Sequence, residues 1–267
     1  MLTPSDTKSK KNHLLFLLCD VMEYLFSFSG NTEKSPESPC FPFLLFFRGG
    51  PHRCLRFLLM VYRHVFCEPE KPENQFTGLD LSVTPGDHYY VQANSKYVSV
   101  PVRGGGGPIL VLRHDQTGKI PRDAPTLCGH TGAVYDTKWN PFNDGMLYST
   151  SDDGTVGIWQ IPEEGLTQKQ EAVAFMKGHG KPTTLVACNP VANNVVASAS
   201  KDHTVKVWDA EKTEDKVTCS DFTGLIQDLV WDYTGKQLGT TCKDKTARIF
   251  DARQASVVHV STIDLSF

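Results

Sequence analysis

Three nine-residue cassettes constrain this chain more than any other feature: "DDGTVGIWQ" at 152–160, "KDHTVKVWD" at 201–209 and "KDKTARIFD" at 243–251. Each runs Asp, a skipped residue, Thr, an alternating apolar stretch and a closing aromatic. The aromatics Trp159, Trp208 and Phe250 lie 49 and 42 residues apart. Gly129-His130 and Gly178-His179 stand upstream of the first two, with 23 residues from each His to its Asp, Asp153 and Asp202. A period in the forties, opened by Gly-His and closed by Trp-Asp, is the pattern of propeller blades, each a four-stranded sheet buried against its neighbours. The expected fold is all-β, a partial WD-repeat β-propeller of about four blades.

Alternation within a cassette gives the strands. In "AVYDTKWNP" (133–141), Val134, Asp136 and Lys138 are expected on one face and Tyr135, Thr137 and Trp139 on the other. "MLYSTS" and "TVGIW" follow as strands around the "DDG" turn. The second cassette repeats this as "TLVACNP", "NVVASAS" and "TVKVWD", and the third as "LIQDLVWD", "LGTTC" and "TARIFD".

The polar residues at fixed places predict a structural network. A buried His bonds a strand hydroxyl (Ser149 or Ser151; Ser198 or Ser200) and the Asp of the tight turn, while that hydroxyl takes the indole N–H. On this reading His130, Asp153 and Trp159, His179, Asp202 and Trp208, and Asp244 of the third cassette are scaffold rather than catalytic groups. The third cassette departs from the pattern. Asp221-Phe222 stands in place of Gly-His, Thr240 or Cys242 in place of Ser, and Phe250 in place of Trp, so an apolar substitute for the network is expected.

Residues 75–125 read as one more blade without the repeat motif. "GGGG" at 104–107 is expected to be a hairpin turn and not a phosphate loop, since Pro108 and an apolar strand follow it instead of a helix. "GHGKPTT" (178–184) fails the same pattern, with Phe175 at the first Gly and Pro182 at the hydroxyl position. No Ser/His/Asp, paired-carboxylate or metal constellation survives the scaffold reading, so no enzyme activity, cofactor or metal is predicted. The eight cysteines include no C-x-x-C pair, and Cys128, Cys188 and Cys242 lie in strand-like runs, which predicts free thiols and a reducing compartment. Lys and Arg total 27 against 30 Asp and Glu, which argues against a nucleic-acid footprint over the whole chain.

Residues 1–61 are a different text. "NHLLFLLCDVMEYLFSFSG" is broken by Asp20 and Glu23, and its clean apolar run, Leu14 to Leu18, is too short for a signal-peptide core. No membrane association is predicted; this segment is left unassigned, as disordered or foreign to the rest. The organised region is expected at 62–260, with 261–267 a divergent tail.

"YRHVF" (62–66), "GGGGPILVL", "PTLCGHTGAVYDTKWNPFND", "VGIWQIPEEGLT", "NPVANNVVASASKDHTVKVWD" and "TCKDKTARIFDAR" together resemble the N-terminal part of a coronin, over Tyr62 to Val260. The resemblance implies a seven-bladed, non-catalytic actin-filament-binding protein with a C-terminal extension and coiled coil. It also implies a cytoplasmic place at the actin cytoskeleton and cell cortex, and partners that include the branched-actin nucleating complex and cofilin. The chain then reads as a fragment, whose uncovered blades are expected to self-associate. The family often carries a basic residue, tied to filament binding, where this chain has Asp80. Candidate actin-facing cations are Arg63, Lys201, Lys243, Lys245 and Arg248. The alternative is a generic WD-repeat adaptor, such as a ubiquitin-ligase substrate receptor; no docking box outside the repeats supports it.

Overall fold

The computed structural model describes residues 71–82 and 89–262. The chain divides into two units, 1–74 and 75–267. Of the first, only the end is described, a 3-10 turn at Pro72–Asn74. The expectations for residues 1–61 and for Arg63 lie outside the described residues. No helix among the described residues is long and apolar enough to cross a membrane.

The second unit carries four four-stranded antiparallel sheets in chain order. The first blade is β2 (Gln92–Ala93), β3 (Tyr97–Pro101), β4 (Ile109–Arg113) and β6 (Thr126–Leu127). Beside it, β1 (Phe76–Thr77) pairs in parallel with β5 (Gly118–Lys119). The second blade is β7 (Val134–Trp139), β8 (Met146–Ser151), β9 (Thr155–Gln160) and β10 (Ala174–Lys177). The third is β11 (Thr183–Cys188), β12 (Val195–Ser200), β13 (Val205–Asp209) and β14 (Glu214–Cys219). The fourth is β15 (Ile226–Trp231), β16 (Gln237–Cys242), β17 (Thr246–Asp251) and β18 (Ser256–Thr262). The architecture is that of a partial propeller. The tail expected to diverge from 261 begins inside β18.

Strand identity follows burial on both faces. β8 and β12 are apolar or small throughout and almost wholly buried, and β9 is buried over 156–159, because each is sandwiched between neighbouring blades. Three apolar layers fill the gaps between successive sheets. Val134, Leu147 and Trp159 pack on Ile109 and Val111 of the first blade; Val196 and Trp208 pack on Tyr148 and Ile158; Leu238 and Phe250 pack on Ala197 and Val207. The closing aromatic of each cassette is thus a blade's main apolar contact with the sheet before it. Trp159, Trp208 and Phe250 are essentially inaccessible to solvent.

The simple alternation expected for β7 breaks at its start. The ladder with β8 shifts register between Val134 and Asp136. That bulge places Val134 with Thr137 and Trp139 toward the first blade. Tyr135 joins Asp136 in reaching the third blade. An extra residue in one strand resets the parity of every side chain beyond it. The same bulge recurs at the start of β11 and β15.

The glycine run is a hairpin turn between β3 and β4. Gly107 has φ +54°, and a Cβ there would meet the Gly132 carbonyl oxygen at 2.3 Å. Only glycine lets this turn approach the loop that opens the second blade. At the opposite end, the turns between first and second strands are tied from blade to blade by asparagines. Asn94 Nδ2 donates to the Asp144 carbonyl at 2.8 Å, Asn140 Nδ2 to Asn193 Oδ1 at 3.3 Å, and Asn189 Nδ2 to the Gly235 carbonyl at 2.9 Å.

Candidate functional site

In each blade the turn between second and third strands and the loop entering from the previous outer strand lie at the same end. This upper rim holds most of the polar residues singled out above. In the second blade, Trp159 Nε1 donates to Ser149 Oγ at 2.7 Å, and Ser149 Oγ lies 2.7 Å from His130 Nε2. With the indole proton already on Ser149, the hydroxyl proton goes to Nε2, which leaves Nδ1–H to donate to Asp153 Oδ2 at 3.0 Å. Asp153 also accepts the backbone N–H of Thr131 and both the N–H and hydroxyl of Thr155. Burial pushes its carboxyl up, but the bonds from His130, Thr155 and Thr131 more than offset this and hold it well below the usual carboxylate range.

The third blade repeats the arrangement atom for atom: Trp208 Nε1 to Ser198 Oγ at 2.7 Å, Ser198 to His179 Nε2 at 2.8 Å, and His179 Nδ1 to Asp202 at 3.0 Å. Burial keeps the His179 imidazole below its ordinary value despite the pull of Asp202, so it is neutral at physiological pH. Ser151 and Ser200, the other hydroxyls considered, instead accept the backbone N–H of Asp153 and Asp202. A neutral imidazole with both nitrogens committed has no free lone pair for base catalysis. His179→Ala is expected to destabilise the chain by about 1–3 kcal/mol, since Ser198 and Asp202 each lose a buried partner. Urea denaturation followed by Trp fluorescence reads this directly, and an unchanged midpoint would contradict it.

In the fourth blade the network positions hold neither imidazole nor indole, with Phe222 and Phe250 in their place. Ladder register makes Gly157, Lys206 and Arg248 equivalent, each opposite Ser149, Ser198 and Thr240 respectively. A Cβ at Gly157 would sit 2.9 Å from both His130 Nε2 and Ser149 Oγ, so glycine leaves room for the network. Lys206 runs outward to Asp215 and Thr218. Arg248 does neither. Its guanidinium stacks 5.1 Å from the Phe222 ring and donates from Nη2 to Asp244 at 2.8 Å. Phe222 and Phe250 pack with ring centroids 5.2 Å apart. The substitute is therefore apolar with a cation in it: Arg248 takes over the imidazole's donation to the turn Asp. This corrects the expectation that Arg248 faces a partner, because the residue is 9% exposed. With phenylalanine at the imidazole position, the Asp244 carboxylate is open to the Arg248 guanidinium.

The remaining cations divide. Lys201 is half-buried, with Nζ 3.1 Å from Tyr135 Oη and 4.6 Å from its ring centre. Tyr135 in turn donates to Asp152 at 2.5 Å. Lys243 and Lys245 are exposed on the upper turn of the fourth blade, and Lys181 is exposed on the loop entering the third. Asp80 is exposed too, and its carbonyl accepts the Arg103 N–H on the upper side of the first blade. The rim carries exposed carboxylates at Asp80, Asp152 and Asp221 and exposed cations at Arg103, Lys181, Lys243 and Lys245. Sequence reading overlooked Lys181 because it lies inside the loop rather than at a cassette turn.

It also overlooked Asp136. This carboxylate on β7 is 1% exposed. Oδ1 accepts the N–H of Thr137 at 2.8 Å, and Oδ2 accepts the N–H of Val186 on β11 at 3.1 Å, so it spans the joint between blades two and three. Burial pushes its pKa up to about 7; Lys138 and the two N–H donors pull it down, and Asp228 pushes it up.

Residues 61–119 match the family described as "Domain of unknown function (DUF1899)", and residues 123–160 and 170–209 match "WD domain, G-beta repeat". Coronin-2A of Homo sapiens is 34% identical over 204 residues, covering 74% of this chain and 39% of that protein. The Coronin-like protein of Saccharomyces cerevisiae is 35% identical over 208 residues, covering 74% of this chain and 32% of its own length. The solved WD40 domain of Toxoplasma gondii coronin superposes with a TM-score of 0.67 at 33% identity, covering 71% of this chain and 49% of that one. The chain belongs to the coronin family. It spans about a third of the length of the coronins it matches in sequence. The His–Ser–Asp–Trp networks and the Arg248 substitution are thus features of a coronin-type propeller. Its matched WD repeats end at Asp209, before the blade that lacks the network.

Proposed function

We propose that this chain is the filament-binding propeller portion of a non-catalytic coronin-type protein that acts in actin cytoskeleton organisation and turnover. The observation that carries the reading is the match to coronins along three quarters of the chain, in sequence and in fold. The cytoplasm and cell cortex are the corresponding location. The branched-actin nucleating complex and cofilin are the partners this reading adds to filamentous actin. The upper rim of blades three and four is the surface proposed to meet the filament, with Lys243 and Lys245 as its exposed cations and Lys201 at its border. Lys181 extends this surface. Charges on such a surface act mainly on encounter rate and orientation.

Asp80 stands on the same rim and opposes an acidic partner. Asp80→Arg is therefore expected to tighten co-sedimentation of the full chain with filamentous actin by about threefold or more at low salt, from a weak starting affinity. The joint change Lys243→Glu and Lys245→Glu is expected to weaken it. Binding indifferent to all three substitutions would place the contact elsewhere, and no binding at any salt would remove the reading.

A further inference from the structure

The outer strand of each blade ends a sheet, and such edges are open to further pairing unless something blocks them. Three of the four are blocked by familiar means. β6 has only two residues, β10 has four and ends on exposed Lys177, and β14 exposes Glu214, Asp215 and Lys216. β18 differs. It is seven residues long, "SVVHVST", with no charged residue, and Val258 and Val260 are 55% and 49% exposed. Among the described residues no strand lies on its outer side.

The comparison with β14 is exact in register. β14 bulges between Val217 and Asp215, opposite Val207 and Trp208, so Lys216 is the extra residue. β18 bulges between His259 and Val257, opposite Ile249 and Phe250, so Val258 is the extra residue. A valine stands where the neighbouring blade places its gatekeeping lysine.

We infer that β18 is a self-association edge, on which a second copy of this chain lays its own β18 antiparallel about a twofold axis through His259. The sequence is self-complementary about that residue. Twofold pairing sets Val258 opposite Val260 of the second copy, Ser256 opposite Thr262, and His259 opposite itself. On the exposed face apolar pairs with apolar and hydroxyl with hydroxyl, Val257 meets Ser261 on the other face, and no carboxylate or ammonium is buried. The outer rim of a blade stays on the outside however many blades complete the ring, so this edge is independent of association through uncovered blade faces. A charged partner peptide has nothing on β18 to pair with, whereas the strand itself does.

The test is sedimentation equilibrium on the full chain against Val258→Lys and Val260→Lys, with circular dichroism to establish that the exposed substitutions leave the fold intact. The expected result is a wild-type dimer whose dissociation constant rises at least about tenfold in either variant. Register is read separately by His259→Cys, which should give a disulfide-linked dimer under mild oxidation, lost when Val258→Lys is added. A monomeric wild type at tens of micromolar, association that survives both lysines, or a dimer that His259→Cys fails to trap would each overturn the inference. Survival of association in the lysine variants would assign it to the blade faces.

Discussion

Between pH 5 and pH 8 the unfolding free energy of the wild-type chain is expected to fall relative to that of Asp136→Asn, by about 3 kcal/mol. Asp136 has an ordinary value of 3.8 and is pushed up to about 7 in the fold. From the first value to the second, the folded chain holds a proton that the unfolded chain has released. Its stabilising contribution is complete below pH 4 and is lost as pH rises through 7. The physical cause is the burial of a carboxylate at the joint of blades two and three, with only Lys138 and two backbone N–H groups to compensate it. His179 works in the opposite sense. Its lowered value makes stability rise with pH up to about 6.5. That term is common to both proteins and cancels in the difference. Urea denaturation at four pH values, at low protein concentration, measures the difference. A difference that stays flat would show the carboxylate ionised at all of them.

Asp244→Ala is the second large effect, a destabilisation of about 3 kcal/mol. Asp244 accepts from Thr223 Oγ1 at 2.9 Å, from the Thr246 N–H at 3.0 Å and from Arg248 Nη2 at 2.8 Å. Its removal leaves the buried Arg248 guanidinium without its carboxylate, and Nη1 of that residue already lacks a hydrogen-bond partner among the described residues. Breaking one side of a buried pair costs more than replacing the pair, because the surviving charge keeps its desolvation penalty. The double change Asp244→Ala with Arg248→Leu is therefore expected to recover part of the loss, with the leucine packing on Phe222. Equal midpoints for Asp244→Ala and the wild type would mean that water already solvates Arg248.

The pattern of strands was legible because it is local. Spacing from Gly-His to Asp to Trp marks one sheet and its entering loop, and both are contiguous in the chain. The closing aromatics Trp159, Trp208 and Phe250 were visible as cores for the same reason, as was the hairpin at Gly104–Gly107. The outer strands were not. β10 and β14 sit at the periphery with short or charged text, so no apolar alternation announces them. The faces of Val134 and Tyr135, at the β7 bulge, were misread, since a bulge depends on the partner strand's count as well as its own.

By itself, then, the sequence determined the blade as a unit, its order along the chain, and the family to which it belongs. The tertiary structure alone decided which side of a blade each residue serves. Arg248 looked like a turn cation and became an internal donor because a missing imidazole, 26 residues away, left the turn Asp open. Asp136 looked like any strand polar residue and became a buried carboxylate because Val186, 50 residues on, supplies an N–H across a blade joint. Both outcomes depend on what a neighbouring strand or blade presents at close range, and pairwise desolvation of that kind has no period for a sequence to show.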